Sequence, residues 1–170
     1  RLEHENSVSD ISFSPDGQYI IAIANPPPNQ NANSKQTQKE EIDRSNGIVE
    51  VWNLSGEKIA RLEHENSVSD ISFSPDGQQI AIVSGNRANV WNIAKKAIEF
   101  PIDENSVSHV SFSPDGQHIV TVSDDTAKIW DISGKQRSIL EGHQDIIKSA
   151  NFSNDGQRIV TTSYDKTARV

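Results

Sequence analysis

Apolar and polar residues alternate along short segments of this chain with a period of two, which is typical of β-strands. The segment SVSDISFS (67–74) carries Ser69, Ile71 and Phe73 on one side. A Pro-Asp-Gly triplet follows it directly. Proline presets φ, aspartate can bond its own backbone and glycine tolerates positive φ, so the triplet favours a tight turn. The pattern therefore predicts a β-hairpin.

Three further kinds of segment follow each hairpin turn. Segments 80–84 and 119–123 are apolar on both sides, which suits a central strand that is buried on both faces. Segments 88–93 and 127–132 contain a tryptophan near the end. Segments 57–62, 97–100 and 137–140 mix charged and aliphatic residues, as edge strands do. Four short strands in each group of roughly 40 residues, without a helical period, predict the blades of a β-propeller.

The same markers recur along the chain. The motif FSPDG, or FSNDG in the last case, begins at four phenylalanines that are 60, 39 and 40 residues apart: Phe13, Phe73, Phe112 and Phe152. Three tryptophans keep a constant step of 39 residues: Trp52, Trp91 and Trp130. We therefore predict one partial propeller domain over 1–170, with repeats at approximately 1–60, 61–99, 100–138 and 139–170.

The extra length of the first repeat lies in segment 25–46. This segment has three consecutive prolines, many amides, six charges that cancel and one large aliphatic residue, Ile42. Such a composition buries too little apolar surface to offset the entropy of ordering. We expect a long mobile loop, which is either a tolerated surface insertion or a lid that binds a partner.

Composition narrows the classes of partner and chemistry. Twenty-four acidic against sixteen basic residues leave a net charge of −8, which argues against nucleic acid and favours partners with a basic surface. The chain has no cysteine, so disulfides, thiolate catalysis and Cys-ligated zinc are excluded. No apolar segment approaches the roughly 20 residues that span a bilayer. We expect a cytoplasmic protein that does not bind membranes.

Several motifs together resemble the WD40 repeat family. They are Gly142-His143, Phe152-Ser153 with Asp155-Gly156, the run from Ser163 to Thr167, and Ile129-Trp130-Asp131. TolB-like propellers also carry SPDG, but they usually lack the Val/Ile-Trp-Asp/Asn ending found at 51–53, 90–92 and 129–131. The resemblance implies an all-β fold of about three and a half four-stranded antiparallel blades. Because the chain starts at Arg1 and stops before the next expected tryptophan, we expect a fragment of a larger ring.

The resemblance also implies a buried hydrogen-bond network in each blade. In the family it joins a His before the first strand, a Ser or Thr on the second, an Asp in the next turn and the Trp of the third strand. The matching residues here are His4, Trp52, His64, Trp91, Asp124, Trp130, His143, Ser163 and Asp165. We interpret the network as structural rather than catalytic. Asp103 replaces the His in the third repeat and Gly85 the Asp in the second, so we expect blades that are less rigid than consensus blades.

No reactive centre is indicated. None of the five histidines has a partner at metal-binding spacing, and no phosphate loop or nucleophile elbow occurs. We predict no enzyme activity, no cofactor and no metal. The stretch RLEHENSVSDISFSPDGQ stands unchanged at 1–18 and 61–78, so a repeated packing unit explains it better than a set of unlike catalytic residues. The alternative is a hydrolase-type or TolB-like propeller with a site on the propeller axis.

In WD40 proteins the loops before the first strand and between the second and third strands lie on one face. The candidate partner-binding residues in the first of these loops are Glu3, Glu5, Asn6, Glu63, Glu65, Asn66, Asp103, Glu104, Asn105, Gln144 and Asp145. Their acids form either a solvated rim or a platform for a basic peptide or protein. We predict a non-catalytic interaction scaffold, or the docking or sensor module of a larger multidomain signalling protein. We also expect that this chain can self-associate through open blade edges.

Overall fold

The computed structural model describes residues 4, 8–25, 46–102 and 106–170, and within these ranges it contains strands and no helix. The strands form three four-stranded sheets and one three-stranded sheet, each a meander in which sequence neighbours pair. The pairs with a resolved register are all antiparallel. The predicted all-β fold of antiparallel blades is confirmed.

The four sheets follow one another along the chain. The first sheet contains β1 (Val8–Phe13), β2 (Tyr19–Ala24), β3 (Ile48–Asn53) and β4 (Lys58–Glu63). The second contains β5 (Val68–Phe73), β6 (Gln79–Ser84), β7 (Arg87–Asn92) and β8 (Ala97–Ile102). The third contains β9 (Val107–Phe112), β10 (His118–Ser123), β11 (Thr126–Asp131) and β12 (Gln136–Leu140). The fourth contains β13 (Ile147–Phe152), β14 (Ile159–Ser163) and β15 (Ala168–Arg169).

The chain divides into two compact units, Arg1–Val68 and Ser69–Val170. Unit 1 holds the first sheet, whose central strands supply its buried side chains. Ile21, Ala22, Val49 and Val51 are fully buried there. They lie on β2 and β3, the two central strands of this sheet, and a central strand is covered from both sides.

Unit 2 contains two packed junctions between neighbouring sheets. In the first junction the buried side chains of the second sheet meet those of the third: Ala81, Val83, Ala88 and Val90 against Val107, Val110 and Phe112. In the second junction the third sheet meets the fourth: Val120, Val122 and Ala127 against Ile147, Ala150 and the partly buried Phe152. In both junctions, the second and third strands of one sheet therefore pack against the first strand of the next sheet.

Each first hairpin closes through the same Ser-x-Asp-Gly turn. In the second sheet, Ser74 Oγ donates to Asp76 Oδ1 over 2.6 Å and accepts from Gln79 N over 2.8 Å. Gly77 N donates to the Ser74 carbonyl oxygen over 2.9 Å, with Gly77 at φ 69°. Equivalent serine bonds lower the pKa of Asp16, Asp115 and Asp155. The turn chemistry explains the recurrence of the motif without any ligand.

Candidate interaction surface

Five of the eleven candidate partner-binding residues lie in the described part of the chain. They are Glu63, Glu65, Asn66, Gln144 and Asp145. The other six lie outside the described residues: Glu3, Glu5, Asn6, Asp103, Glu104 and Asn105. Residues 26–45, nearly all of the proposed loop insertion, also lie outside them. Glu63 ends β4, and the other four described candidates lie in two loops, one before β5 and one before β13.

The loop before β5 is anchored to the start of β3. His64 N donates to the Gly47 carbonyl oxygen over 2.8 Å, and Gly47 N donates to the Asn66 carbonyl oxygen over 3.0 Å. A Cβ on Gly47 would lie 2.6 Å from Val68 N, so only glycine allows this close approach. The Asn25 side chain bonds both backbone groups of Val68, with Nδ2 and Oδ1 each at 2.9 Å. The loop is therefore held at both ends.

The loop before β13 is held by a buried network around His143. His143 Nδ1 lies 2.7 Å from Asp165 Oδ2, and Nε2 lies 2.8 Å from Thr161 Oγ1. Gln144 N also donates to Asp165 Oδ2 over 3.0 Å. Hydrogen bonds from the Thr167 hydroxyl foremost, and also from His143, hold the pKa of Asp165 well below its ordinary value. The network joins this loop to the turn after β14.

The hydroxyl partner of His143 is Thr161, whereas the family resemblance implied Ser163. Ser163 Oγ instead donates to the Asp145 carbonyl oxygen over 2.7 Å and accepts from Asp165 N over 3.0 Å. Thr161 stands nine residues after Phe152, as Thr121 stands nine after Phe112. That spacing is the signal that identifies it from the sequence.

The third sheet shows another part of the network. Trp130 Nε1 donates to Thr121 Oγ1 over 2.9 Å, and both residues are buried. Asp124 lies in the turn between β10 and β11 at φ 52°, and its carbonyl oxygen accepts from Ile147 N over 2.7 Å. The backbone of Asp124 thus links the third sheet to the first strand of the fourth sheet within unit 2. The histidine position of this repeat, Asp103, is outside the described residues.

In the first sheet a buried glutamate takes the place of the expected partner. His4 Nδ1 lies 2.5 Å from Glu50 Oε2, and Glu50 is 1% exposed. Lys58 Nζ and Arg61 lie 2.6 Å and 3.4 Å from Glu50 Oε1. Burial acts to raise the pKa of Glu50, but hydrogen bonds from Lys58 and His4 outweigh it and lower the pKa. The His4 and Trp52 rings pack at a steep angle, 71° between their planes. Sequence reasoning missed Glu50, which no repeat motif marks.

Two residues predicted for the hydrogen-bond network have a side-chain nitrogen without a hydrogen-bond partner in the described part of the chain. Trp52 Nε1 and His64 Nε2 are buried and have no hydrogen-bond partner there. The position that Thr121 occupies in the third repeat is taken by Ala22 in the first repeat and by Ile82 in the second. Trp91 is buried opposite Ile80. Burial lowers the pKa of His64, because the charged form loses its hydration.

The side chains that these loops present to solvent are mainly acidic. Glu65, Gln144 and Asp145 are exposed. The Glu63 side chain is 65% exposed and pairs with Arg61 over 3.1 Å. Such exposed pairs contribute little to stability. The loops therefore combine anchored backbones with accessible negative charge.

The described residues hold no group of three or more His, Asp or Glu side chains that could bind a metal ion. Over the same residues, no helix is long and apolar enough to cross a membrane.

The antiparallel meanders, with the hydrogen bonds of His143 to Thr161 and of Trp130 to Thr121, are those of a repeat protein built from propeller-type blades. The family model described as WD domain, G-beta repeat matches residues 1–24, 56–92, 97–131 and 134–170. The chain belongs to the WD40 repeat family. A search of curated proteins found no match. WD40 repeats generally mediate protein–protein interaction and are typically non-catalytic scaffolds.

Proposed function

We propose that this chain is a non-catalytic scaffold whose acidic loops receive a protein or peptide with a basic surface. The observation that carries the proposal is the exposure of Glu65 and Asp145 on loops with anchored backbones. A loop that is already ordered loses less conformational entropy on binding. Its charge then acts mainly on the association rate and on the choice of partner. The net charge of −8 disfavours nucleic acid as that partner.

The buried networks support a structural role for His143 and His4. His143 is satisfied by Asp165 and Thr161, and His4 by Glu50. The polar groups of each network belong to one sheet and are already hydrogen-bonded to each other. A hydrolase-type site on a propeller axis needs unlike polar groups that converge, so we favour the scaffold. As a scaffold, the chain would serve as the docking or sensor module of a multidomain signalling protein in the cytoplasm.

The test compares two glutamates at opposite ends of the same strand. Glu65 follows β4 in the loop before β5, whereas Glu57 precedes β4. The probe is a labelled arginine-rich peptide, with a glutamate-rich peptide of equal length as its counterpart, and fluorescence anisotropy measures the affinity. We expect Glu65→Lys and Gln144→Lys to weaken arginine-peptide binding several-fold, and Glu57→Lys to leave it nearly unchanged. The loss should shrink at high salt, because salt screens exposed charges.

The proposal is overturned if the glutamate-rich peptide binds as tightly, or if Glu57→Lys weakens binding as much as Glu65→Lys does. Circular dichroism of each variant checks that the sheets are retained.

We also infer self-association through an open blade edge. In the described structure, each four-stranded sheet ends in an outer strand that pairs on one side only, namely β4, β8 or β12. Unpaired backbone groups at such an edge can accept a strand from another chain.

A further inference from the structure

The loop before β13 and the turn after β14 each expose one large apolar side chain. Ile146 is 49% exposed and Tyr164 is 58% exposed. Tyr164 N donates to the Ile146 carbonyl oxygen over 3.0 Å, and Ser163 Oγ donates to the Asp145 carbonyl oxygen over 2.7 Å. The loop and the turn therefore lie next to each other, and these hydrogen bonds hold their backbones in place.

The two apolar side chains are particular to the fourth repeat. The other three repeats carry small or polar residues at the same positions: Ser7, Ser67 and Ser106 for Ile146, and Asn25, Gly85 and Asp124 for Tyr164. Asp124 is exposed although the fourth sheet packs against the third, so this position faces solvent beside a neighbouring sheet. The blade therefore folds without a large apolar side chain at either position, and a pair of exposed apolar groups here favours a role in binding.

The Tyr164 ring already holds a cation of its own chain. Lys148 Nζ lies 4.2 Å from the centroid of the ring. The other three repeats have serine at the position of Lys148: Ser9, Ser69 and Ser108. Lys148 forms no salt bridge with a described residue, so the ring is the partner of its ammonium group. The contact shows that the face of this ring accommodates a positive charge.

A carboxylate lies in the same loop. Asp145 is exposed, and its Oδ1 accepts from Ile146 N over 2.8 Å, whereas its Oδ2 accepts no hydrogen bond within the described part of the chain. A carboxylate, an aromatic ring and an aliphatic group together match the side chain of arginine. Its planar guanidinium stacks on aromatic rings and pairs with carboxylates, and its stem packs on apolar surface. The ammonium of lysine is compact and more strongly hydrated, so it fits this combination less well.

We propose that Asp145, Ile146 and Tyr164 form a site for an arginine side chain of a protein partner, and that Lys148 occupies part of this arginine site in the unbound chain. The inference rests on the proposed function, because it names the residue type that the loop before β13 selects. The guanidinium of the partner replaces the Lys148 ammonium on the ring and pairs with Asp145. Displacement is easy because a cation–π contact at an exposed site is weak.

The test compares two peptides of equal length and charge, one rich in arginine and one rich in lysine, titrated against the full chain by fluorescence anisotropy. The arginine-rich peptide should bind several-fold more tightly. Tyr164→Leu keeps an apolar side chain without the ring and should remove this preference, whereas Tyr164→Phe keeps the ring and should retain it. The substituted side chain is exposed, so both variants should keep the sheets, which circular dichroism checks.

A second pair of variants tests the role of Lys148. Lys148→Gln should strengthen binding of the arginine-rich peptide several-fold, because it frees the ring and removes a like charge. Lys166→Gln is the matched control. It makes the same change of charge at an exposed lysine in the turn after β14, and Lys166 contacts no aromatic ring among the described residues. Its effect should be clearly smaller.

The outcomes separate this inference from the proposed function. Equal binding of the two peptides, or an arginine preference that survives Tyr164→Leu, overturns the arginine site and leaves the acidic-loop scaffold standing. Equal gains from Lys148→Gln and Lys166→Gln overturn the role of Lys148. An arginine-rich peptide that binds no better than a glutamate-rich one overturns the scaffold, and the arginine site with it.

Discussion

His109 Nδ1 lies 2.8 Å from Asp70 Oδ2, and this ion pair joins the first strands, β9 and β5, of two neighbouring sheets in unit 2. The same carboxylate oxygen accepts from Val110 N over 2.9 Å. His109 Nε2 lies 3.1 Å from the carbonyl oxygen of Ala150 in the next sheet. Both ring nitrogens face acceptors, so the doubly protonated imidazolium satisfies both. The hydrogen bond to Asp70 raises the pKa of His109, although burial opposes it.

Because of this pair, we expect the folded chain to lose stability at basic pH. A raised folded-state pKa means that the contribution is fully present below the ordinary value of 6.5 and is lost as pH rises through the raised pKa. We expect a loss of about 1 kcal/mol, typical of a partly exposed pair. Urea unfolding between about pH 6 and 9 measures it. His109→Gln and Asp70→Asn should both flatten the profile.

The control for this prediction is Asp10→Asn, which makes the same change at the same position of the first repeat. It should keep the slope of the unmodified chain. A slope that persists in His109→Gln would contradict the assignment.

His64 predicts the opposite pH dependence. Its folded-state pKa is lowered by burial, so its neutral form is favoured in the folded chain. Stability is retained above the ordinary value of 6.5 and is lost as pH falls below it, because the unfolded chain binds the proton first. His64→Gln should therefore reduce the sensitivity of unfolding to acid. An unchanged acid limb of the stability profile would show that His64 does not resist protonation.

Ala22→Ser should stabilise the first sheet. Ala22 stands two residues after Ile20, the partner of Trp52, just as Thr121 stands two after Ile119, the partner of Trp130. A serine hydroxyl there would accept from Trp52 Nε1, which has no partner among the described residues, with a gain of about 1 kcal/mol. Thermal unfolding followed by tryptophan fluorescence measures the change.

Ala81→Ser provides the comparison, because Ala81 is buried in the apolar first junction. A hydroxyl without a partner there should cost about 1–3 kcal/mol. If Ala22→Ser destabilises the chain as much as Ala81→Ser does, the alignment of the two tryptophans is wrong.

Alanine at the turn glycines should cost stability in a graded order. Gly17 and Gly116 share a φ of 69° and 68°, but an added Cβ has open space at Gly17 and lies 3.3 Å from Pro75 Cδ at Gly116. Gly17→Ala should cost about 1–2 kcal/mol for the left-handed conformation. Gly116→Ala should cost about 1 kcal/mol more, because the neighbouring turn must also shift. If chemical denaturation gives equal costs for the two variants, the turn that contains Gly116 is not in close contact with the turn that contains Pro75.

The fold was largely predictable because its signals are local. Alternation within six residues, a Pro-Asp-Gly turn and a recurring Phe and Trp specify strands, hairpins and repeats without knowledge of distant contacts. The roles of single polar residues were less accessible. Thr161 is identified only after the repeats are aligned on Phe152, because Ser163 also carries a hydroxyl and lies on the same face of β14.

By itself, the sequence determined the class of this protein: antiparallel blades of the WD40 family, closed by Ser-x-Asp-Gly turns and carrying a net negative charge. Only the tertiary structure decided which distant side chains meet. It paired His4 with Glu50, which is 46 residues away, and His109 with Asp70 of the preceding sheet. The physical reason is that strand formation depends on neighbours along the chain, whereas buried polar pairing depends on which sheet faces pack together.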